Sequence, residues 1–132
     1  MEARAVPAPG DVREPNVWSL PDELLQLARD GAADVVADVI AIFQADSAAR
    51  LANLATAVEA GNWKQIRSEA HALKGSSLQV GAEAMAGVCL QLEHIKSENP
   101  SEAAQLLNRL QGQFAEVEQA MSLLNLEEES NG

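Results

Sequence analysis

A chain of 132 residues has room for one ordinary domain with a real core and none for a second catalytic domain of usual size. Apolar residues make up 47% of it but aromatic residues only 3%, so the core must be built from Leu, Val, Ile and Ala, a mixture that favours helices over strands. Nine Lys and Arg against 20 Asp and Glu leave a net charge of −11, which repels nucleic-acid phosphate and anionic membrane and argues against both as partners.

Residues 1–16 carry Pro7, Pro9 and Pro15 without apolar periodicity and read as a flexible arm. They contain no hydrophobic stretch that would serve as a signal peptide, and no later run approaches the roughly 20 apolar residues of a membrane span, so a cytoplasmic protein is expected. Ser19 is positioned to cap a short helix over about 20–30, with Pro21, Asp22 and Glu23 in its first turn and Gly31 at its end. A long helix follows, in which Val36, Val39, Ile40, Phe43, Leu51, Leu54 and Val58 recur at three- and four-residue steps until Gly61. Asn62 caps the next, which runs to about Val80. After Gly81, Met85, Val88, Cys89, Leu92 and Ile95 share one helical face as far as the Asn99-Pro100 break. Cys89, the single cysteine, has no internal disulfide partner and reads as a small core residue. Ser101 opens the last helix, with Leu107, Leu110, Phe114, Val117, Met121 and Leu124 on its stripe, and residues 127–132 form a short acidic tail. The pattern predicts an all-α protein, an antiparallel up-and-down four-helix bundle over 17–126 with a short additional N-terminal helix. Four long helices in one chain bury one another's stripes, so a monomer is expected.

The segment from Trp63 to Val80 holds one of the two histidines and the densest positive charge. At about 100° per residue, Trp63, Ile66, Ala70, Leu73, Ser77 and Val80 fall on one stripe that should face the core. Lys64, Arg67, His71, Lys74, Gly75 and Leu78 fall on an outer arc, and Glu69 lies off it. Three of the nine basic residues thus surround one histidine in an acidic protein, a pattern suited to an anion, though long cationic side chains solvating a surface helix would look the same. Gly75 costs the helix about 1 kcal/mol relative to Ala. Away from the core stripe, it suits close approach of another protein's backbone better than a packing notch.

His71-Ala-Leu-Lys74-Gly75-Ser76-Ser77, followed by Gly81-Ala82 and by Leu90-Gln-Leu92-Glu93, resembles the histidine-containing phosphotransfer (HPt) domain. The resemblance is strongest over 43–96. It implies a phosphoryl carrier of a multistep two-component phosphorelay, in which His71 accepts the group from a receiver-domain aspartate and passes it to another. Lys74 matches the family's phosphoryl-neutralising lysine, Gly75 its glycine and Ser76 its small residue. Glu93 stands where the family places a Gln or Glu that orients the histidine, and across a hairpin through Gly81 it would accept Nδ1–H and leave Nε2 to attack. Arg67 would supplement Lys74 on the phosphoryl oxygens. Lys64, Arg67, Gly75, Ser76 and Leu78 then form the expected partner surface. The implied partners are response-regulator receiver domains and a hybrid sensor histidine kinase.

No cofactor is expected on this chain, with Mg²⁺ expected on the receiver. No Glu-x-x-His spacing supports a metal-binding bundle, so no metal site is expected, and His94 reads as a solvated surface residue. The chain contains no Gly-rich ATP-binding region, so it is expected to be a carrier and not a kinase. A helical-bundle adaptor without phosphotransfer would show the same apolar stripes and is the alternative reading.

Overall fold

The computed structural model describes residues 18–96 and 98–124. The expected arm over 1–16 and the acidic tail over 127–132 lie outside the described residues. Among those described, the chain is helical with no strand: α1 spans Asp22–Leu27, α2 Ala33–Ala60, α3 Trp63–Gln79, α4 Glu83–Glu93 and α5 Pro100–Ser122. This is the predicted bundle, with α1 as the short additional helix.

Local chemistry sets most of the boundaries. Between α1 and α2 the residues Ala28–Ala32 form one wide turn, in which Gly31 takes φ 97°, a conformation open to glycine and costly for other residues. Gly61 ends α2 in the left-handed region at φ 68°, and its N–H bonds the Ala57 and Val58 carbonyls. Asn62 caps α3 as its sequence position predicts, its Oδ1 accepting from the Gln65 N–H at 3.1 Å.

Three boundaries differ from the sequence reading. Ser19 makes no cap on α1; Pro21 holds that place, and its carbonyl accepts from the Leu25 N–H at 2.8 Å. The last helix opens before Ser101: Asn99 caps it, its Oδ1 accepting from the Ser101 and Glu102 N–H groups at 2.9 and 3.3 Å. Pro100 then occupies the first turn, where a missing N–H has no consequence. In α4 the periodic stripe runs past the helix itself, which ends at Glu93, while Ile95 still reaches the core from the following turn.

The polar pairs give the direction of packing. Asp46 meets Ser76 and Arg50 meets Glu69, then Arg67 meets Ile95 and His71 meets Glu93, so one number falls as the other rises and both neighbouring helix pairs run antiparallel. α5 closes the ring against α4 and α2, with Phe43 and Phe114 edge to face at a centroid distance of 6.2 Å. The core carries Leu54, Ile66, Leu73, Met85, Leu92 and Leu110, all fully buried, each stabilising the fold by about 2 kcal/mol. Ahead of α1, the buried Trp18 donates its indole N–H to the Val80 carbonyl at 2.7 Å, and the Pro21 ring packs against Gly81 in the α3–α4 turn. The start of the described chain is thereby fastened to the hairpin that carries His71.

Candidate functional site

Helix α3 has three aspects. Ile66, Ala70, Leu73 and Ser77 are buried in the core, as the stripe predicts. One edge meets α2 and the other meets α4. His71 lies on the outward arc close to the α4 edge, its side chain 68% exposed.

From α4, the Glu93 carboxylate reaches both polar groups on that edge. Its Oε2 lies 2.5 Å from His71 Nδ1, and its Oε1 accepts from Lys74 Nζ at 2.6 Å. The Lys74 hydrogen bond, then that of His71, hold the Glu93 carboxyl below its ordinary range against the opposing effect of burial, so it is a carboxylate at neutral pH. A carboxylate can only accept. Nδ1 therefore carries a proton, so in the neutral ring the lone pair is at Nε2, which has no protein partner among the described residues. The arrangement is a nucleophilic nitrogen held outward, with its tautomer and ring plane set from the neighbouring helix.

The other expected site residues are placed as follows. Lys64 is exposed at the start of the arc. Gly75 is exposed one turn beyond His71, and a Cβ built there meets nothing within 4 Å, so helix packing does not require a glycine at that position. Leu78 is 56% exposed on the α4 side. Arg67 lies on the same edge but is engaged elsewhere: Nε and Nη2 donate to the Ile95 carbonyl at 3.3 and 3.0 Å, and Nη2 lies 3.5 Å from Glu98. It satisfies the frayed end of α4 just past Glu93, a duty visible only once α4 is seen to stop there. Ser76 turns toward α2, its hydroxyl donating to the Ala72 carbonyl at 3.3 Å and to Asp46 at 3.4 Å, away from the His71 arc. His94 is exposed at the end of α4.

Two apolar flanks of this ridge were not read from the sequence. On the α4 side Leu90 is exposed one turn before Glu93. On the α2 side Ile42, 68% exposed, lines with Val39, Ser76 and Gln79 a groove of about 280 Å³. The signal was present: Val35, Val39 and Ile42 form a second stripe one position off the core stripe of Val36, Ile40 and Phe43.

The Hpt domain family matches this chain over residues 38–120. The chain belongs to that family. Two curated relatives from Arabidopsis thaliana are histidine-containing phosphotransfer proteins 2 and 5, which are 32% and 34% identical over 74 residues. Each match covers 54% of this chain and 47% of the relative, so the aligned region spans about half the length of these relatives. Among solved structures, histidine-containing phosphotransfer protein B (HptB) from Pseudomonas aeruginosa PAO1 superposes with a TM-score of 0.62 at 33% identity, covering 74% of this chain and 86% of the other. The Hpt match takes in α3, α4 and nearly all of α2 and α5, and therefore the whole His71–Glu93–Lys74 cluster. It begins after α1. No helix of the described residues is long and apolar enough to cross a membrane.

Proposed function

We propose that this chain is a phosphoryl carrier in a multistep two-component phosphorelay. His71 takes the group from the aspartate of one receiver domain and delivers it to another. The observation that carries this reading is the outward Nε2 of His71, with Nδ1 occupied by the Glu93 carboxylate at 2.5 Å. Glu93 orients the ring, and Lys74 supplies positive charge for the phosphoryl oxygens. Transfer between an aspartate and a histidine needs chiefly in-line positioning and charge neutralisation, with Mg²⁺ held by the receiver. The carrier works as a cytoplasmic monomer, taking its phosphoryl groups from a hybrid sensor kinase and serving response regulators.

The surface around His71 fits a protein partner. Gly75 leaves space for a receiver loop to approach the ring, Leu78 and Leu90 offer apolar contact on one flank and Ile42 on the other. Lys64 and Lys74 set positive charge among them in a chain of net charge −11, matching the acidic active site of a phosphorylated receiver.

The test is incubation with phosphorylated receiver domains. The expected outcome is acid-labile labelling of the parent, complete loss of it in His71→Gln with the fold intact, and retention in His94→Gln. Undiminished labelling of His71→Gln would sink the mechanism, and a parent that binds receivers without being labelled would be an adaptor.

A further inference from the structure

Glu93 holds two donors on its two oxygens, His71 Nδ1 and Lys74 Nζ. With the ring in the neutral form that attacks, the charges of this arrangement balance, Lys74 being the positive partner of Glu93. Phosphorylation changes that balance. Nε2 gives its lone pair to phosphorus as the P–O bond of the aspartyl phosphate breaks, and that electron pair leaves on the aspartate carboxylate. No proton has to move, because the ring proton already sits on Nδ1. The product ring, substituted at Nε2 and protonated at Nδ1, carries positive charge, and the phosphoryl group beside it carries about two negative charges.

We infer that Glu93 changes partners during each transfer: Lys74 leaves it for the phosphoryl oxygens, and the newly charged His71 ring takes Lys74's place as its counter-ion. The inference rests on the carrier reading and adds to it a role for the charge at position 93, distinct from orientation. Lys74 is well placed to move. It stands one helical turn from His71 on the same edge, and its flexible chain ends on the very carboxyl group that contacts the ring. Each positive group then has a negative partner both before and after transfer. The consequence is chemical: with Nδ1 kept protonated by a carboxylate, the ring departs as neutral imidazole in the onward step, a far better leaving group than imidazolate.

Other ionisable groups around the cluster do not offer a substitute counter-ion. Arg67 on α3 is held by the Ile95 carbonyl and Glu98, and Lys64 is exposed earlier on the same helix. On α4, Cys89 lies beneath, its thiol pushed up to about 12 by burial and by Glu93, so it stays uncharged. Asp46, Arg50 and Glu69 pair with one another on the opposite, α2 edge. His94 adjoins Glu93 and is replaced by Gln in every sample below, so that His71 is the only histidine titrating.

The experiment phosphorylates the protein with phosphoramidate and follows the ³¹P resonance of the phosphohistidine against pH in the parent, Glu93→Gln and Lys74→Met. The amide of Gln still accepts Nδ1–H and keeps the ring oriented, but it brings no charge. The midpoint should fall by about one pH unit or more in Glu93→Gln and should not fall in Lys74→Met. The side-chain ¹⁵N resonance of Lys74 should shift when the parent is phosphorylated. Equal midpoints in the parent and Glu93→Gln, a fall in Lys74→Met, or a Lys74 resonance indifferent to phosphorylation would each overturn the exchange while leaving the carrier reading intact. A parent that forms no phosphohistidine at His71, from phosphoramidate or from a phosphorylated receiver, would overturn both.

Discussion

The two edges of α3 use the same device for different ends. Toward α2, Glu69 accepts from Arg50 at 3.0 Å and from Asn53 at 3.2 Å. Toward α4, Glu93 accepts from Lys74 and lies against His71. In both, one largely buried carboxylate joins two donors and ties neighbouring helices together. The difference lies in the donors. A guanidinium and an amide present no nucleophilic nitrogen lone pair, whereas an imidazole held by one nitrogen still presents the other. Reactivity here follows from which side chain the carboxylate grips, since the gripping geometry is shared.

Breaking the reactive edge should have the larger effect. Under the proposed mechanism Lys74→Ala removes the charge that neutralises the phosphoryl oxygens, and it should slow transfer from a phosphorylated receiver by about one to two orders of magnitude, equivalent to roughly 1.5 to 3 kcal/mol. Rapid-quench kinetics read this directly, and a parental rate would remove Lys74 from the chemistry. A smaller effect is expected at Gly75, where a side chain meets open space. Gly75→Gln should raise helix stability by about half a kcal/mol while reducing receiver affinity and transfer severalfold. A lower melting temperature with normal transfer would make Gly75 a packing residue after all. The smallest effect belongs to the other edge: Glu69→Gln should lower stability by about 1 kcal/mol or less, the range of a partly exposed ion pair, with no change in transfer rate. If transfer slowed as much as in Lys74→Ala, the two edges would not be independent.

The sequence carried the fold well where a single residue type has a single physical use. Gly61 and Asn62 mark the α2–α3 junction without ambiguity, and the apolar spacing of α3 alone places His71 outside the core. It carried less where two neighbours compete for one job: Asn99 and Ser101 are both good caps, and only the path of the chain decides between them. The His71–Glu93 contact was legible through the family resemblance, because a helix wheel contains no distance between helices. Lys74 meeting the same carboxylate, and Arg67 turning to the Ile95 carbonyl, are products of how closely α4 lies and where it ends. Neither is encoded in the periodicity of α3. The Ile42 flank was visible as an apolar position but merged with the core stripe beside it, since α2 is apolar on two adjoining faces.

The indole of Trp18 on the Val80 carbonyl bears on where the cooperative unit begins. The Hpt family match starts at residue 38, yet the core does not. Trp18, Ala28 and Val36 are all buried ahead of that point, and a fragment cut to the shared region would leave the Val80 carbonyl without its donor and Gly81 without the proline ring that covers it. The strap ahead of α1 is thus part of the bundle's cooperative unit. It sits at the α3–α4 turn and leaves the side chain of His71, at the middle of α3, 68% exposed.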